Sequence, residues 1–263
     1  MIGKQRRRSR VIPCIDRRLP VLLVSLALAP ACSRRRSPPA SADLPAVVST
    51  DVGPMEVEAV YLPGVVDCEL GWFTAQAPAL AAQAIAARTY LARFLLEHGA
   101  GARVPIGPHF QCWRPAAHAR SRAAAAATAG VVLRHRGEII FANYVSGADL
   151  LDARCAPPIP LVFGYPHLTW EALARAVARG ERFRGYAWTE AYVTHNPGRR
   201  GAAVRQTPQN APLPPNRGAF GQYAAACLAE RRGYDTAAIL RHFYGADVVI
   251  GRRPKRPATP DDS

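Results

Sequence analysis

Glu69 is set in an apolar run, with Val65, Val66 and Cys68 before it, Leu70 after it and Trp72 three residues on. Moving a carboxyl out of water disfavours its anion, so a glutamate in such surroundings is expected to keep its proton near neutral pH. An acid of that kind can donate to an oxygen leaving group. The bland alternative is a helix-end carboxylate that reaches water or caps backbone N–H groups. Asp67 is the nearest other acid, but two residues away on a helical turn it faces elsewhere and is not assigned as a partner.

Arg88 interrupts an alanine-rich helical face. It could clamp substrate oxygens or hold Glu69, or equally form an ion pair tying helix to loop. Gln83, five residues earlier, lies off that face and suits a buried polar bridge. His242 and Tyr244 are expected only to pack the last helix.

These residues need elements to hold them. The strongest helix is expected over 78–98, with Pro78 in its first turn and Gly99 at its stop. Leu80, Ala84, Ala87, Leu91 and Leu95 make one apolar stripe at steps of three and four. "VEAVYL" (56–61) alternates like a strand. A second alanine-rich helix is expected near 116–128, closed by Gly130, and 131–145 reads as a hairpin turning at Arg136-Gly137. A helix is expected at 170–179 within a loop-rich region from 146 to 215. Helices near 218–232 and 235–244, a turn at Gly233 and a short strand "DVVI" close the chain. Without a βαβ rhythm, the class is α+β: one domain of helices packed on antiparallel strands.

Seven Lys/Arg and an apolar run from Leu19 to Ala31 describe an export signal over residues 1–31, too short to span a bilayer. Cys32, after Ala31, is the expected lipidation site of a lipoprotein, with ordinary cleavage as the alternative. The expected location is the periplasm or cell envelope, anchored at Cys32. Residues 32–54 read as a flexible tether, 55–251 as the folded body and 252–263 as a basic disordered tail. Six of the fifteen net positive charges leave with the signal. The nine that remain favour polyanions such as anionic lipid or acidic wall polymer. Export argues against nucleic acid.

Cys68, Cys112, Cys155 and Cys227 are an even set in an oxidising compartment, so two disulfides are expected, with three possible pairings. A metal site built from His109, Cys112 and His118 is the minority reading, because that spacing matches no standard zinc motif.

Two stretches then resemble a known family. "YLPGVVDCELGW" followed by "ALAAQAIAARTYLARFLL" is similar to the N-terminal signature of the SpoIID/LytB family of stage II sporulation protein D-like cell-wall proteins. That signature runs roughly Y-L-x-G-V-V-x-x-E-M-P, then A-L-K-A-Q-A-V-A-A-R-T-Y. "NRGAFGQYAAACLAERRGYDTAAILRHFYGADVVI" (216–250) resembles its C-terminal signature, roughly G-x-G-x-G-M-S-Q-Y-G-A and then I-L-x-H-Y-Y-P-G. "FQCWRP" (110–115) and "AAAAATAGVVLRHRGEIIFANYVS" resemble intermediate segments. The chain departs from the pattern at several points. Glu69 stands eleven residues before Leu80 instead of ten. Ala81 replaces Lys, Gly71 replaces Pro, and Ala219-Phe220-Gly221-Gln222-Tyr223 lacks the Ser.

The resemblance implies a lytic transglycosylase acting on peptidoglycan glycan strands, with Glu69 as its single acid/base. Such an enzyme leaves anhydro-muramic ends and needs no cofactor or metal, whereas ordinary glycosidases pair two carboxylates. It also implies Gln222 and Tyr223 as a sugar groove, with Gln111, Tyr144 and Ser146 in weaker supporting roles. Tyr223 could equally be core packing. The alternative function is a non-catalytic wall-binding module that stimulates or positions an amidase. A third reading, a polyanion-binding envelope protein, rests on charge alone and predicts binding that salt abolishes.

Overall fold

Alanines let neighbouring elements approach α2 (Ala77–His98) closely, and the helix is buried along most of its circumference. A helix apolar on all sides belongs in a core. Its expected stripe is buried throughout, and Gly99 ends it in a positive-φ conformation. One cluster, including Leu80, Ile85, Phe220, Leu240 and Phe243, packs on one flank. Another, with Tyr61, Leu62, Val65, Leu91 and Val104, packs on the opposite flank.

The computed structural model describes residues 44–147, 192–210, 213 and 215–252, all within one compact unit. The expected signal, the Cys32 lipidation site, Cys155, the helix at 170–179 and the tail beyond Arg252 lie outside the described residues.

Regular structure starts inside the stretch read as a tether. β1 (Val47–Thr50) pairs antiparallel with β2 (Gly53–Glu56), because Val48 and Met55 alternate inward onto the core. The strand expected at 56–61 is instead helical. A π-helical turn (Val57–Tyr61), α1 (Leu62–Val66) and a second π-helical turn (Asp67–Gly71) form one continuous run. Val57, Tyr61, Leu62, Val65 and Val66 are all buried, and steps of four, one and three make a helical face. That longer pattern overrides the local alternation.

α3 (Ala119–Ala127) packs on α1 and α2. The hairpin of β3 (Val131–His135) and β4 (Glu138–Ile139) turns at Arg136-Gly137 as expected, both with positive φ, as a tight two-residue turn requires. β5 (Phe141–Val145) leaves that sheet and pairs in parallel with β6 (Asn216–Gly221). The helix expected from 218 therefore begins only at α4 (Gln222–Arg232). β6 is buried at every position, which hides strand alternation from a sequence reading. Gly233 closes α4 in the left-handed conformation, and Asp235 caps α5 (Thr236–Tyr244) by accepting from Ala238 N at 2.7 Å. β7 (Val249–Arg252) pairs antiparallel with β3, so Arg252 belongs to the sheet and not to the tail. The fold is α+β, its strand pairs antiparallel except for β5–β6.

Candidate active site

The helical run that carries Glu69 is fixed from below by Asp67. That carboxylate is fully buried and accepts from His118 N (3.0 Å), His118 Nδ1 (2.8 Å) and Ser121 Oγ (2.7 Å). Burial pushes the Asp67 carboxyl up, but hydrogen bonds from Ser121 and His118 outweigh it and hold it below the usual aspartate value. Arg120 donates twice to Gly71 O, at 3.0 and 2.7 Å. Gly64 and Gly71 allow this closeness: a Cβ at Gly64 would collide with the Trp113 indole, and one at Gly71 with Ser121 Oγ and Asp67 Oδ1. The run thus lies tight against 112–121, and Cys68 is disulfide-bonded to Cys112 with Cα atoms 5.6 Å apart. Cys227 is disulfide-bonded as well.

On the other face of the run, Glu69 borders a cleft of about 600 Å³. Its Oε1 accepts from Cys112 N at 2.6 Å and its Oε2 from Gln222 Nε2 at 2.9 Å. Burial pushes the Glu69 carboxyl above the ordinary glutamate value, and the two hydrogen bonds offset this only in part. Tyr144 and Tyr61 feel the Glu69 charge, and burial first, then that charge, holds both phenols protonated well above the usual tyrosine range. Among the described residues lining the cleft, Glu69 is the only carboxylic acid.

Gln222, Tyr223, Tyr144 and Ser146 line the same cleft as Glu69. Tyr223 stacks on Phe73, ring centroids 4.4 Å apart, and so forms cleft wall. Gln111 stands behind the wall: it accepts from Tyr61 Oη at 2.5 Å and donates to Ala87 O at 3.1 Å. Gln83 is buried inside α2, with neither amide atom hydrogen-bonded. Arg88 is turned away from the acid. Completely buried, it grips Glu58 through Nε (2.8 Å) and Nη2 (2.7 Å) and donates to the carbonyls of Ala125 and Val131. Its role is to tie α2 to the first helical turn and α3, because the β2–helix junction places Glu58 over that face. His242 packs in the core beside His195, and Tyr244 Oη donates to Asn143 O at 2.7 Å.

The metal alternative has no geometry behind it: Cys112 is bonded to Cys68, and His118 to Asp67. Among the described residues no group of three or more His, Cys, Asp or Glu could hold an ion.

Sequence reasoning missed most of the aromatic wall. Trp72 is 53% exposed at the cleft edge, in edge contact with Phe73. Tyr90 and Phe110 meet edge-on at 5.2 Å on the same lining, and Tyr192 and Gln209 come from the loop region. The Trp72-Phe73 pair, three and four residues after the acid, was the available signal for the first two. Nothing in the loop composition pointed to Tyr192 or Gln209. Where the family pattern has Ser, a Cβ on Gly221 would stand 2.7 Å from Gly147 O, so local packing here demands glycine.

Residues 49–135 match the model of the SpoIID family, described as stage II sporulation protein. The match runs from β1 to the end of β3 and includes Glu69, Arg88 and Gln111, while Gln222 and Tyr223 lie beyond it. No curated protein matches the chain.

Proposed function

We propose that the protein is a lytic transglycosylase of peptidoglycan, on the footing that residues 49–135 match the SpoIID family, which suggests a function related to sporulation and the cell wall. The observation that carries this reading is a single carboxyl, raised in pKa by burial, in an aromatic cleft of about 600 Å³ whose described lining holds no second acid. Cleft and ligand sizes agree, since pockets of roughly 300–1,000 Å³ take small ligands.

In this mechanism Glu69 donates its proton to the glycosidic oxygen between muramic acid and glucosamine, and the bond from the muramic C1 to that oxygen breaks. The 2-acetamido oxygen of the same sugar stabilises the cationic C1. The 6-hydroxyl then attacks C1 and returns its proton to the Glu69 carboxylate, closing a 1,6-anhydro ring. No water enters the balance, so no second carboxylate is needed, unlike in hydrolytic enzymes. The Gln222 amide and the Cys112 N–H steady the carboxylate between the two proton transfers. Phe73, Tyr223 and Trp72 offer flat apolar faces to pyranose rings. No cofactor is called for.

The reading puts the substrate outside the cytoplasmic membrane, in keeping with the export signal and Cys32 anchor expected from the sequence. Among the described residues no helix is long and apolar enough to cross a membrane.

The test is mass spectrometry of products released from purified sacculi by wild type and Glu69→Gln. Anhydro-muramyl products from wild type alone are expected. Equal release by the variant would remove Glu69 from the chemistry. Binding to sacculi without sugar release, together with faster turnover of an added amidase, would favour the wall-binding alternative, which Ala81 in place of the family's Lys recommends.

A further inference from the structure

The Cys68–Cys112 bridge joins the two chain segments that meet at Glu69. Cys68 is its immediate neighbour in sequence, and Cys112 supplies the backbone N–H on Oε1 at 2.6 Å. The segment 105–118 around Cys112 has no regular secondary structure to fix that N–H in space. Besides the bridge, its neighbours are tied down by side chains and loop contacts: Gln111 to Tyr61 Oη and Ala87 O, Trp113 Nε1 to Val60 O at 3.3 Å, Arg114 N to Gly64 O at 3.3 Å, and His118 to Asp67. The bridge is the tether on Cys112 itself, the residue that supplies the N–H. Both cysteines are half-buried and line the cleft, so the bond is open to a small reagent entering there.

We propose that the Cys68–Cys112 disulfide is a positioning element for Glu69, holding the Cys112 N–H on the carboxylate so that the acid is aimed into the cleft. The inference rests on the reading of Glu69 as the reacting acid. It adds a redox condition: the site is fully assembled only when this pair is oxidised. Reduction by a dithiol breaks the Sγ–Sγ bond, delivers two electrons and two protons to give two thiols, and leaves the reductant as its cyclic disulfide. Cys112 is then held only through its neighbours' contacts, and its N–H is freer to leave Oε1.

Losing a donor to the charged form shifts a carboxyl upward. The other groups that face Glu69 do not substitute for the N–H. Gln222 is already on Oε2; Tyr61 donates to Gln111; Tyr144 feels the acid's charge through space; Tyr90 and His109 stand on the cleft lining; and Asp67 points to His118, Ser121 and Arg114.

The experiment opens the bond in the full chain in two ways: the double variant Cys68→Ser/Cys112→Ser, which keeps both backbone N–H groups, and dithiol treatment. For the dithiol arm, Cys227→Ser treated in parallel controls for the other bonded cysteine. The Glu69 titration is read by NMR of its labelled carboxyl, and kcat and KM are measured on sacculi. Opening the bond is expected to move the titration upward and lower kcat on the order of 10- to 100-fold, with KM little changed. Reoxidation of the dithiol-treated protein is expected to restore both. Whichever preparation keeps native near-ultraviolet dichroism decides. An unchanged titration in a folded protein with the bond open overturns the inference, even if its melting temperature falls, because a merely structural bridge would lower only the latter. Failure of oxidised wild type to release anhydro products would instead sink the transglycosylase reading, and the titration comparison would still judge the bridge.

Discussion

The Gln222 side chain donates to Glu69 Oε2 at 2.9 Å across a sequence separation of 153 residues. The bond joins the helical run at one end of the fold to the first residue of α4 at the other, and closes the cleft between them. Gln222 is buried, so the amide has no ready alternative partner in water. Gln222→Ala is expected to raise the Glu69 titration and slow anhydro-product release by about tenfold or more, with a stability loss of roughly 1–2 kcal/mol. A parallel NMR titration and rate measurement checks it, and unchanged values in both would remove Gln222 from the site.

Glu69 itself opposes folding over part of the pH range. Its folded value lies above the ordinary 4.5, so between the two values the native chain binds more protons than the unfolded one. Stability attached to the group is complete below the ordinary value and drains away as pH rises through the folded value. Glu69→Gln is therefore expected to match wild type in melting temperature below the ordinary value. Above it the variant should exceed wild type by up to about 1 kcal/mol. A pH series of thermal melts reads this, and a variant less stable throughout would contradict it.

Asp67 behaves in the opposite sense. Its folded value is depressed, so its contribution is present above the ordinary 3.8 and lost as pH falls through the folded value. Asp67→Ala leaves Ser121 Oγ and the His118 donors without their acceptor and Arg114 without its ion-pair partner, and is expected to cost about 3 kcal/mol. The deficit should shrink in acid, as measured by denaturant unfolding.

Arg88 is expected to be a stability residue alone. Arg88→Ala leaves Glu58 without its buried partner and empties space between α2 and α3, for a loss of about 2–4 kcal/mol. At a temperature where the variant remains folded, its products and KM on sacculi should equal those of wild type. A large rise in KM would return Arg88 to the substrate.

Trp72 is expected to behave in the reverse way. With its ring 53% exposed at the cleft edge, Trp72→Ala should change stability by less than about 0.5 kcal/mol. A lost stacking face should raise KM for glycan by roughly 10-fold. Equal KM values would place the indole outside the binding surface.

How much of this was legible beforehand depends on the range of the interactions involved. The span of α2, the Arg136-Gly137 turn and the Asp235-capped last helix follow from steps of three and four, turn chemistry and caps, all set within a few residues. An acid at Glu69 with a raised pKa was readable from its apolar neighbours, and two disulfides from the even cysteine count. The alternation at 56–61 misled because the helical burial pattern becomes visible only when it continues to Val66. β6 misled because a strand buried on both faces carries no alternation.

The local sequence by itself determined which side chains are apolar, where chains turn and which carboxyl would resist ionisation. Only the tertiary structure decided who meets whom: Glu69 with Gln222 and Cys112, Cys68 with Cys112, Arg88 with Glu58 instead of the acid, and Phe73 with Tyr223. Periodicity fixes the faces of each element. The neighbour each face receives is set by closing long loops around α2, and those contacts have no signature in the local residue pattern.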